Sequence, residues 1–245
     1  MKAVILAGGK GRRLAPFTVA FPKPLVPIGD RAVLEILIRN LVAHGIREIV
    51  LSVDHLAELL MAYVEGHPDL RGLATYRFVR DREPGGTAGP LARIDGLDDT
   101  FLVTNGDLLT SLDFGDLLRA HRESGAALTV AVHRKSVKLQ LGVLDVDGEG
   151  RVAKYTEKPE MHYEVSMGVY VYEPRARAHI EPGEYLDFPD LVKRLIDAGE
   201  RVQAYRTEAY WLDIGNPDDY ARAQEDAARG LGPAAALGGR EVNSR

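Results

Sequence analysis

The chain of 245 residues has the composition of an ordinary soluble globular protein, with 27% charged residues, a net charge of −5 and no cysteine. This length fits one large α/β domain or two small ones. The absence of cysteine excludes disulfides and thiolate chemistry, and the mild acidity without an extended basic stripe argues against nucleic acid as a partner.

The apolar runs are too short for a membrane protein, since a spanning helix needs roughly 20 apolar residues. The first run, 3–7, is also shorter than the apolar part of a signal peptide. We therefore expect a cytoplasmic protein without a membrane partner.

Apolar, β-branched runs alternate with helical patterns along the chain, which is typical of a mainly parallel sheet flanked by helices. Strands are predicted at 3–7, 48–53, 74–79, 100–104, 128–133, 151–156, 168–173 and 201–206. Helices are predicted at 31–43, 113–124, 188–198 and 217–229. Asp30, Asp113 and Asn216-Pro217 are the predicted start signals of three of these helices.

A hairpin pattern at 144–152 predicts antiparallel additions to the sheet late in the chain. Residues 1–229 are thus expected to form a single α/β domain. Residues 230–245 are rich in Gly and Ala without periodicity, and we expect a flexible tail there.

The first predicted strand leads into a glycine-rich turn that carries positive charge, Gly8-Gly9-Lys10-Gly11-Arg12-Arg13-Leu14. The first 29 residues hold five basic side chains and no acid. Glycine lets backbone N–H groups approach a ligand closely, and such turns bind phosphate. The turn favours a polyphosphate ligand, although a tight connection with solvated arginines would have the same pattern.

Two common phosphate motifs are absent from the sequence. The dinucleotide-binding pattern Gly-x-Gly-x-x-Gly has Leu14 at its third glycine, which disfavours a nicotinamide oxidoreductase. The P-loop pattern Gly-x-x-x-x-Gly-Lys-Ser/Thr does not occur.

Polar residues follow several predicted strands, at the edge where open α/β sheets bind ligands. They are a second glycine-rich turn at 83–91, Asp107, the pair Glu157-Lys158, and Asp213 near the C-terminus. Each one alone is more typical of a turn or a surface position. As a pair, Asp107 and Asp213 indicate a Mg²⁺ site, because Mg²⁺ prefers one or two carboxylates together with substrate phosphates.

The motifs together resemble the signature of the sugar-1-phosphate nucleotidylyltransferases. The matching segments are Gly8-Gly9-x-Gly11-x-Arg13-Leu14-x-Pro16, Pro22-Lys23-Pro24-Leu25, Asn105-Gly106-Asp107, Glu157-Lys158-Pro159 and Trp211-Leu212-Asp213-Ile214-Gly215. The resemblance covers about residues 1–225 and implies a Rossmann-like, mixed sheet. It also implies that a sugar 1-phosphate attacks the α-phosphorus of a nucleoside triphosphate, which yields an NDP-sugar and pyrophosphate.

The resemblance further implies roles for individual residues. Arg13 and Lys23 would be the catalytic cations on the triphosphate and the α-phosphate region, and Asp107 and Asp213 would hold Mg²⁺. The expected nucleotide-binding residues are Ala7, Gly8, Gly9, Gly11, Gly86 and Thr87. The expected sugar-phosphate residues are Gly142, Glu157 and Lys158.

The second glycine-rich turn, from Gly86 to Leu91, resembles the base-side loop of guanylyltransferases for mannose 1-phosphate and heptose 1-phosphate, so GTP is the expected nucleotide. Gly85 replaces the leucine that such loops usually carry, which predicts a freer loop. Ser166-Met167-Gly168 departs from the commoner Asn-Ala-Gly near the sugar.

Two alternatives are left open. One is a hexose-1-phosphate nucleotidylyltransferase that uses dTTP or UTP. The other is a non-catalytic regulatory subunit that binds a nucleotide sugar, which the presence of Arg13, Lys23, Asp107 and Asp213 disfavours. Homo-oligomer formation is also left open.

Overall fold

A mixed β-sheet with helices packed on both faces forms the centre of the computed structural model, which describes residues 1–80 and 84–236. Residue 83 of the second glycine-rich turn and residues 237–245 of the predicted tail lie outside this range. The strands are β1 Lys2–Leu6, β2 Pro27–Ile28, β3 Arg31–Ala32, β4 Glu48–Val53, β5 Thr75–Arg80, β6 Phe101–Asn105, β7 Leu108–Thr110, β8 Leu128–Lys138, β9 Val143–Val146, β10 Val152–Thr156, β11 Glu160–Tyr172, β12 Val202–Thr207 and β13 Trp211–Asp213.

The helices connect and cover these strands. They are α1 Phe17–Ala20, α2 Val33–Ala43, α3 Ala57–Gly66, α4 Phe114–Ser124, α5 Pro174–Arg177, α6 Phe188–Asp197, α7 Pro217–Ala228 and α8 Gly232–Ala236, with 3-10 turns at Arg12–Leu14, Lys23–Leu25 and Gly89–Arg93. Within residues 1–80 and 84–236, every helix falls short of the length and apolar character that crossing a bilayer requires.

The described part of the main sheet has seven strands in the order β12-β8-β11-β6-β1-β4-β5. Strands β5, β4, β1 and β6 are parallel, β11 is antiparallel to both β6 and β8, and β12 is parallel to β8. The pairs β9–β10, β7–β13 and β2–β3 form small antiparallel sheets. This confirms the predicted mixed, mainly parallel α/β fold.

The two faces of the sheet are buried in separate cores. Alternate side chains of β1 show this, because Ala3 and Ile5 pack with the apolar residues of α2, α3 and α4, whereas Val4 packs with those around Leu91 and Leu191. A parallel strand that is buried on both faces reads as a continuous apolar run, as 3–7 does.

The predicted helix starts are confirmed in two cases and wrong in one. The Asp113 side chain accepts from the Asp116 N–H, and the Asn216 side chain accepts from the N–H groups of Asp218 and Asp219. Asp30 does not cap α2, because 29–30 forms the connection of the β2–β3 hairpin and the helix begins later.

Other elements also differ from the predictions, among them α3, β11 and α8. Helix α3 follows Leu56, which has a left-handed backbone and no capping side chain, so the sequence carries no start signal there. Strand β11 begins at Glu160, well before the predicted 168–173. Part of the predicted tail is helical, since α8 packs its Pro233 and Ala234 against the domain.

The His121 side chain of α4 is buried against the sheet. His121 is 1% exposed, its Nδ1 is 2.7 Å from the Thr129 hydroxyl, and its Nε2 is 3.0 Å from a Glu173 carboxylate oxygen. Burial lowers the pKa of His121 from its ordinary value of 6.5, and the hydrogen bond to Glu173 opposes this shift only in part.

This burial predicts a pH dependence of stability. The pKa of His121 is lower in the folded protein than in the unfolded chain, so on acidification the unfolded chain is protonated at His121 first. The contribution of neutral His121 to stability is therefore present above about pH 6.5 and is lost as the pH falls through the folded pKa. We expect the difference in free energy of unfolding between wild type and His121→Gln to shrink from about pH 8 to about pH 5.5 in urea titrations. A difference that stays constant over this range would contradict the prediction.

Candidate active site

A cavity of about 560 Å³ opens at the carboxyl ends of β1, β4 and β6. The glycine turn Ala7-Gly8-Gly9-Lys10 forms one wall, and Ser52 and Asp54 lie beside it. The 84–87 segment of the second glycine-rich turn faces it with Tyr185 and Asp187, and Lys23, Asn105 and Asp107 lie at one side. The parallel strands β1, β4 and β6 place the segments that follow them at one edge of the sheet, which is where ligands bind in such folds.

Five of the six expected nucleotide residues line this cavity, namely Ala7, Gly8, Gly9, Gly86 and Thr87. Gly11 has a packing role next to it. Its φ is +58°, and a Cβ there would come within 2.8 Å of the Thr18 methyl and 3.2 Å of Lys23 Cβ. The glycine therefore lets the turn pack closely on the segment that carries Lys23.

Lys23, Asp107 and Asp213 form a charged cluster at the edge of the cavity. The Lys23 ammonium contacts Asp107 Oδ2 and lies 3.6 Å from Asp213 Oδ1. Lys23 lies in a 3-10 turn between two prolines, and Asp107 lies between β6 and β7. Asp213 pairs with Leu108 in the β13–β7 ladder, which brings it beside Asp107.

The environment of Asp213 is set by burial and by its charged neighbours. Burial and the negative charge of Asp107 raise the pKa of Asp213, and the cations Lys23 and Arg13 oppose this only in part. The Arg13 guanidinium lies over Gly215, where a Cβ would come within 3.2 Å of Arg13 Nη2. Gly215 thus leaves the space that brings the second cation to the cluster.

The two carboxylates fit a hard divalent cation. Among the described residues, no donor forms a hydrogen bond to Asp107 Oδ1 or Asp213 Oδ1, although both atoms are buried. Buried carboxylate oxygens are normally satisfied, and carboxylate oxygens are the ligands that Mg²⁺ prefers. Asp107 and Asp213 are therefore the residues that could hold a metal at this cavity.

A second cluster, Glu35, His67 and Asp69, also has ligand atoms close enough for a metal ion. Its ligand atoms are already engaged with neighbouring side chains and backbone N–H groups. Glu35 accepts from Arg39 Nε at 2.9 Å and from the Tyr63 hydroxyl at 3.2 Å. His67 Nδ1 accepts from the Asp69 N–H at 3.2 Å, so Nε2 carries the proton and faces Glu35. The cluster is a network of ion pairs and hydrogen bonds.

The expected sugar-phosphate residues lie together on and beside the β9–β10 ribbon. The Tyr155 hydroxyl donates to Glu157 Oε2 at 2.8 Å, and Lys158 Nζ lies 3.7 Å from Glu157 Oε1. A Cβ on Gly142 would overlap the Tyr155 ring and hydroxyl. Among the described residues that line the cavity, none of these three occurs. The structure therefore places Gly142, Glu157 and Lys158 near one another but outside the cavity lining.

The second glycine-rich turn differs from the expectation that Gly85 makes it freer. Gly85 is buried, its carbonyl accepts from the Leu186 N–H at 3.1 Å, and a Cβ there would lie 3.1 Å from the Pro90 ring. The loop is held by these contacts, and the expectation is wrong.

Four cavity residues were missed by the sequence analysis. Asp54 directly follows β4, so the strand-end argument applied to 48–53 would have found it, whereas Ser52 lies inside the strand. Tyr185 and Asp187 precede α6 and follow no strand, so no such signal marks them.

Comparison with known proteins gives consistent matches. A family model described as nucleotidyl transferase matches residues 2–230. The UTP–glucose-1-phosphate uridylyltransferase of Synechocystis sp. is 35% identical over 243 residues, covering 91% of this chain and 62% of the relative. The mannose-1-phosphate guanylyltransferase of Mycobacterium tuberculosis is 33% identical, covering 97% and 67%. The chain thus spans about two thirds of the length of these relatives.

A solved structure shares the fold. HddC from Yersinia pseudotuberculosis complexed with GMP-PN superposes with a TM-score of 0.70 at 26% identity, covering 92% of this chain and 98% of HddC. The chain therefore belongs to the nucleotidyl transferase family, as the motifs around Arg13 and Lys23 predict.

Proposed function

We propose that the protein transfers a nucleotidyl group from a nucleoside triphosphate, GTP by preference, to a sugar 1-phosphate. The observation that carries the proposal is the cavity edge where Lys23 and Arg13 stand beside Asp107 and Asp213, next to two glycine-rich turns. Relatives named as uridylyltransferase and guanylyltransferase for sugar 1-phosphates support the reaction class. HddC, complexed with GMP-PN, supports a guanine base.

In the proposed reaction, a phosphate oxygen of the sugar 1-phosphate forms a bond to the α-phosphorus of the nucleoside triphosphate. The bond between the α-phosphorus and the oxygen that bridges it to the β-phosphate breaks. The leaving group is pyrophosphate. Positioning and charge neutralisation carry such phosphoryl chemistry. Lys23 would hold the α-phosphate region and Arg13 would stabilise charge on the leaving pyrophosphate. Asp107 and Asp213 would hold Mg²⁺, which supplies positive charge to the triphosphate when bound.

The ribbon residues are assigned to the second substrate. Lys158 would bind the sugar phosphate, and Glu157 with the Gly142 backbone would bind sugar hydroxyls. The backbone of Lys158 supports a functional role for this residue. Its φ of 44° lies in the left-handed region that lysine seldom adopts.

If Lys158 binds only the sugar phosphate while Lys23 serves the nucleotide, replacing Lys158 should affect the two substrates differently in steady-state kinetics. Lys158→Ala should raise the KM for the sugar phosphate roughly tenfold or more and change the KM for the nucleotide far less. Lys154→Ala on the same ribbon, where Lys154 pairs with Asp145 across the strands, is the matched control and should behave as wild type. An equal or larger rise in the nucleotide KM would contradict the division of the site.

The choice of nucleotide is tested by pyrophosphate release with GTP, dTTP, UTP, CTP and ATP, Mg²⁺ and a panel of sugar 1-phosphates. We expect the highest kcat/KM for GTP. If dTTP or UTP exceeded GTP tenfold, about 1.4 kcal/mol in transition-state binding, the thymidylyl or uridylyl alternative would hold. Binding of nucleotides without pyrophosphate release would support the regulatory subunit. Cytoplasmic location, the absence of nucleic-acid and membrane partners, and oligomeric state stay predictions from the sequence.

A further inference from the structure

The aspartate at the start of α6 does not cap its own helix. Asp187 is the N-cap residue of α6, yet its side chain accepts no hydrogen bond from the first turn. Asp113 and Asn216, at the same position of α4 and α7, do accept such bonds. An N-cap aspartate normally satisfies these N–H groups, so the Asp187 carboxylate has another use.

The Asp187 carboxylate is directed at the second glycine-rich turn. Its Oδ1 accepts from the Thr87 N–H at 3.0 Å and from the Thr87 hydroxyl at 3.3 Å, and its Oδ2 accepts from the Tyr185 hydroxyl at 3.1 Å. The Thr87 hydroxyl in turn accepts from the Phe188 N–H at 2.8 Å. The threonine therefore caps α6, and the aspartate holds the threonine.

Backbone contacts fix the same turn on both sides of Gly86. The Leu186 carbonyl accepts from the N–H groups of Ala88 and Gly89 at 2.9 and 3.1 Å, and the Leu186 N–H donates to the Gly85 carbonyl. Gly86 has a φ of +73°, and a Cβ there would run into the Leu186 carbonyl. Only glycine fits at this close approach.

These contacts decide which groups of the turn can bind a ligand. The N–H and hydroxyl of Thr87 are already engaged by Asp187, whereas the N–H and carbonyl of Gly86 have no hydrogen-bond partner in the described part of the chain. Gly86 and Tyr185 both line the cavity. Asp187 holds the Gly86–Thr87 peptide through the Thr87 N–H, and it holds the exposed Tyr185 ring through the hydroxyl. The backbone groups of Gly86 suit the polar edge of a nucleobase, and the Tyr185 ring suits its flat face.

We infer that Asp187 is the positioning residue of the nucleobase site: through Thr87 and Tyr185 it fixes the Gly86 peptide and the Tyr185 ring against which the base binds. This inference rests on the proposed function. It assigns recognition of the base edge to the Gly86 backbone, whereas the Thr87 side chain has only a holding role.

The test measures nucleotide binding directly, by calorimetric titration of GTP without sugar phosphate. Asp187→Ala should weaken GTP binding by about tenfold or more, whereas Asp187→Asn, which retains an acceptor for the Thr87 N–H, should stay within about threefold of wild type. The KM for the sugar 1-phosphate should change by less than about threefold in either variant. The control is Asp190→Ala, because Asp190 lies on the same first turn but pairs with Lys193.

A second measurement does not depend on any nucleotide. Hydrogen exchange of the free protein should be faster at Thr87, Ala88 and Gly89 in Asp187→Ala than in wild type and Asp190→Ala. Folded Asp187→Ala that binds GTP as wild type does, or that exchanges at the wild-type rate in this turn, would overturn the inference.

Failure of the proposed function gives a different result. If the wild type binds none of the five nucleotides, the base-binding role is overturned together with the function. Faster exchange in Asp187→Ala would then still support Asp187 as the residue that holds the turn.

Discussion

Replacing Asp107 by asparagine should lower turnover by about 10²-fold or more while the fold stays intact. Asp107 is one of the two carboxylates assigned to the metal, and its buried Oδ1 has no hydrogen-bond donor among the described residues. The amide has nearly the same shape but lacks the charge that attracts both the metal and Lys23. The measurement is kcat at saturating substrates across a Mg²⁺ titration, with circular dichroism to check folding.

Asp116→Asn is the matched control for this change. Asp116 lies on the first turn of α4 and pairs with Arg119, outside the described cavity lining. It should keep wild-type turnover. Near-full activity of Asp107→Asn at every Mg²⁺ concentration would contradict the assignment of Asp107 to the metal site.

Replacing Lys23 by methionine should also lower turnover by about 10²-fold or more, because the variant loses a charge contact to the reacting phosphates. It should in addition lower the Tm of the metal-free protein. The Lys23 side chain is only 10% exposed and separates two carboxylates, which face each other without a cation in the variant.

Mg²⁺ should distinguish these two effects of Lys23→Met. Added Mg²⁺ should raise the Tm of the variant more than that of wild type, since the cation can bind between the carboxylates, but it should leave turnover low. Lys2→Met removes a lysine at the far end of β1 that donates to the Gly96 carbonyl at 2.7 Å and lies 3.9 Å from Glu48; it should keep wild-type turnover, and Mg²⁺ should raise its Tm no more than that of wild type. Recovery of turnover together with Tm would assign Lys23 a purely structural role.

The sheet could be predicted from the sequence because its central strands are buried on both faces. Residues 3–7 and the Ile49-Val50-Leu51 part of 48–53 read as continuous apolar runs for that reason, and the structure has strands at Lys2–Leu6 and Glu48–Val53. Helix starts were predictable where a side chain caps its own helix, as Asp113 does. Helix α3 was missed because packing of Leu60 and Val64 specifies it without a local start signal.

By itself, the sequence determined the class of fold, the position of the first glycine-rich turn and the charged residues around it. Only the tertiary structure decided how they meet. The β7–β13 ladder, which joins distant segments, brings Asp213 beside Asp107 and Lys23. The sequence also gave no sign that Thr87 caps α6 while Asp187 binds Thr87. An aspartate at an N-cap position ordinarily caps its own helix, and Asp187 does not. Local patterns report local hydrogen bonds and burial, whereas these contacts depend on long-range pairing that no short window contains.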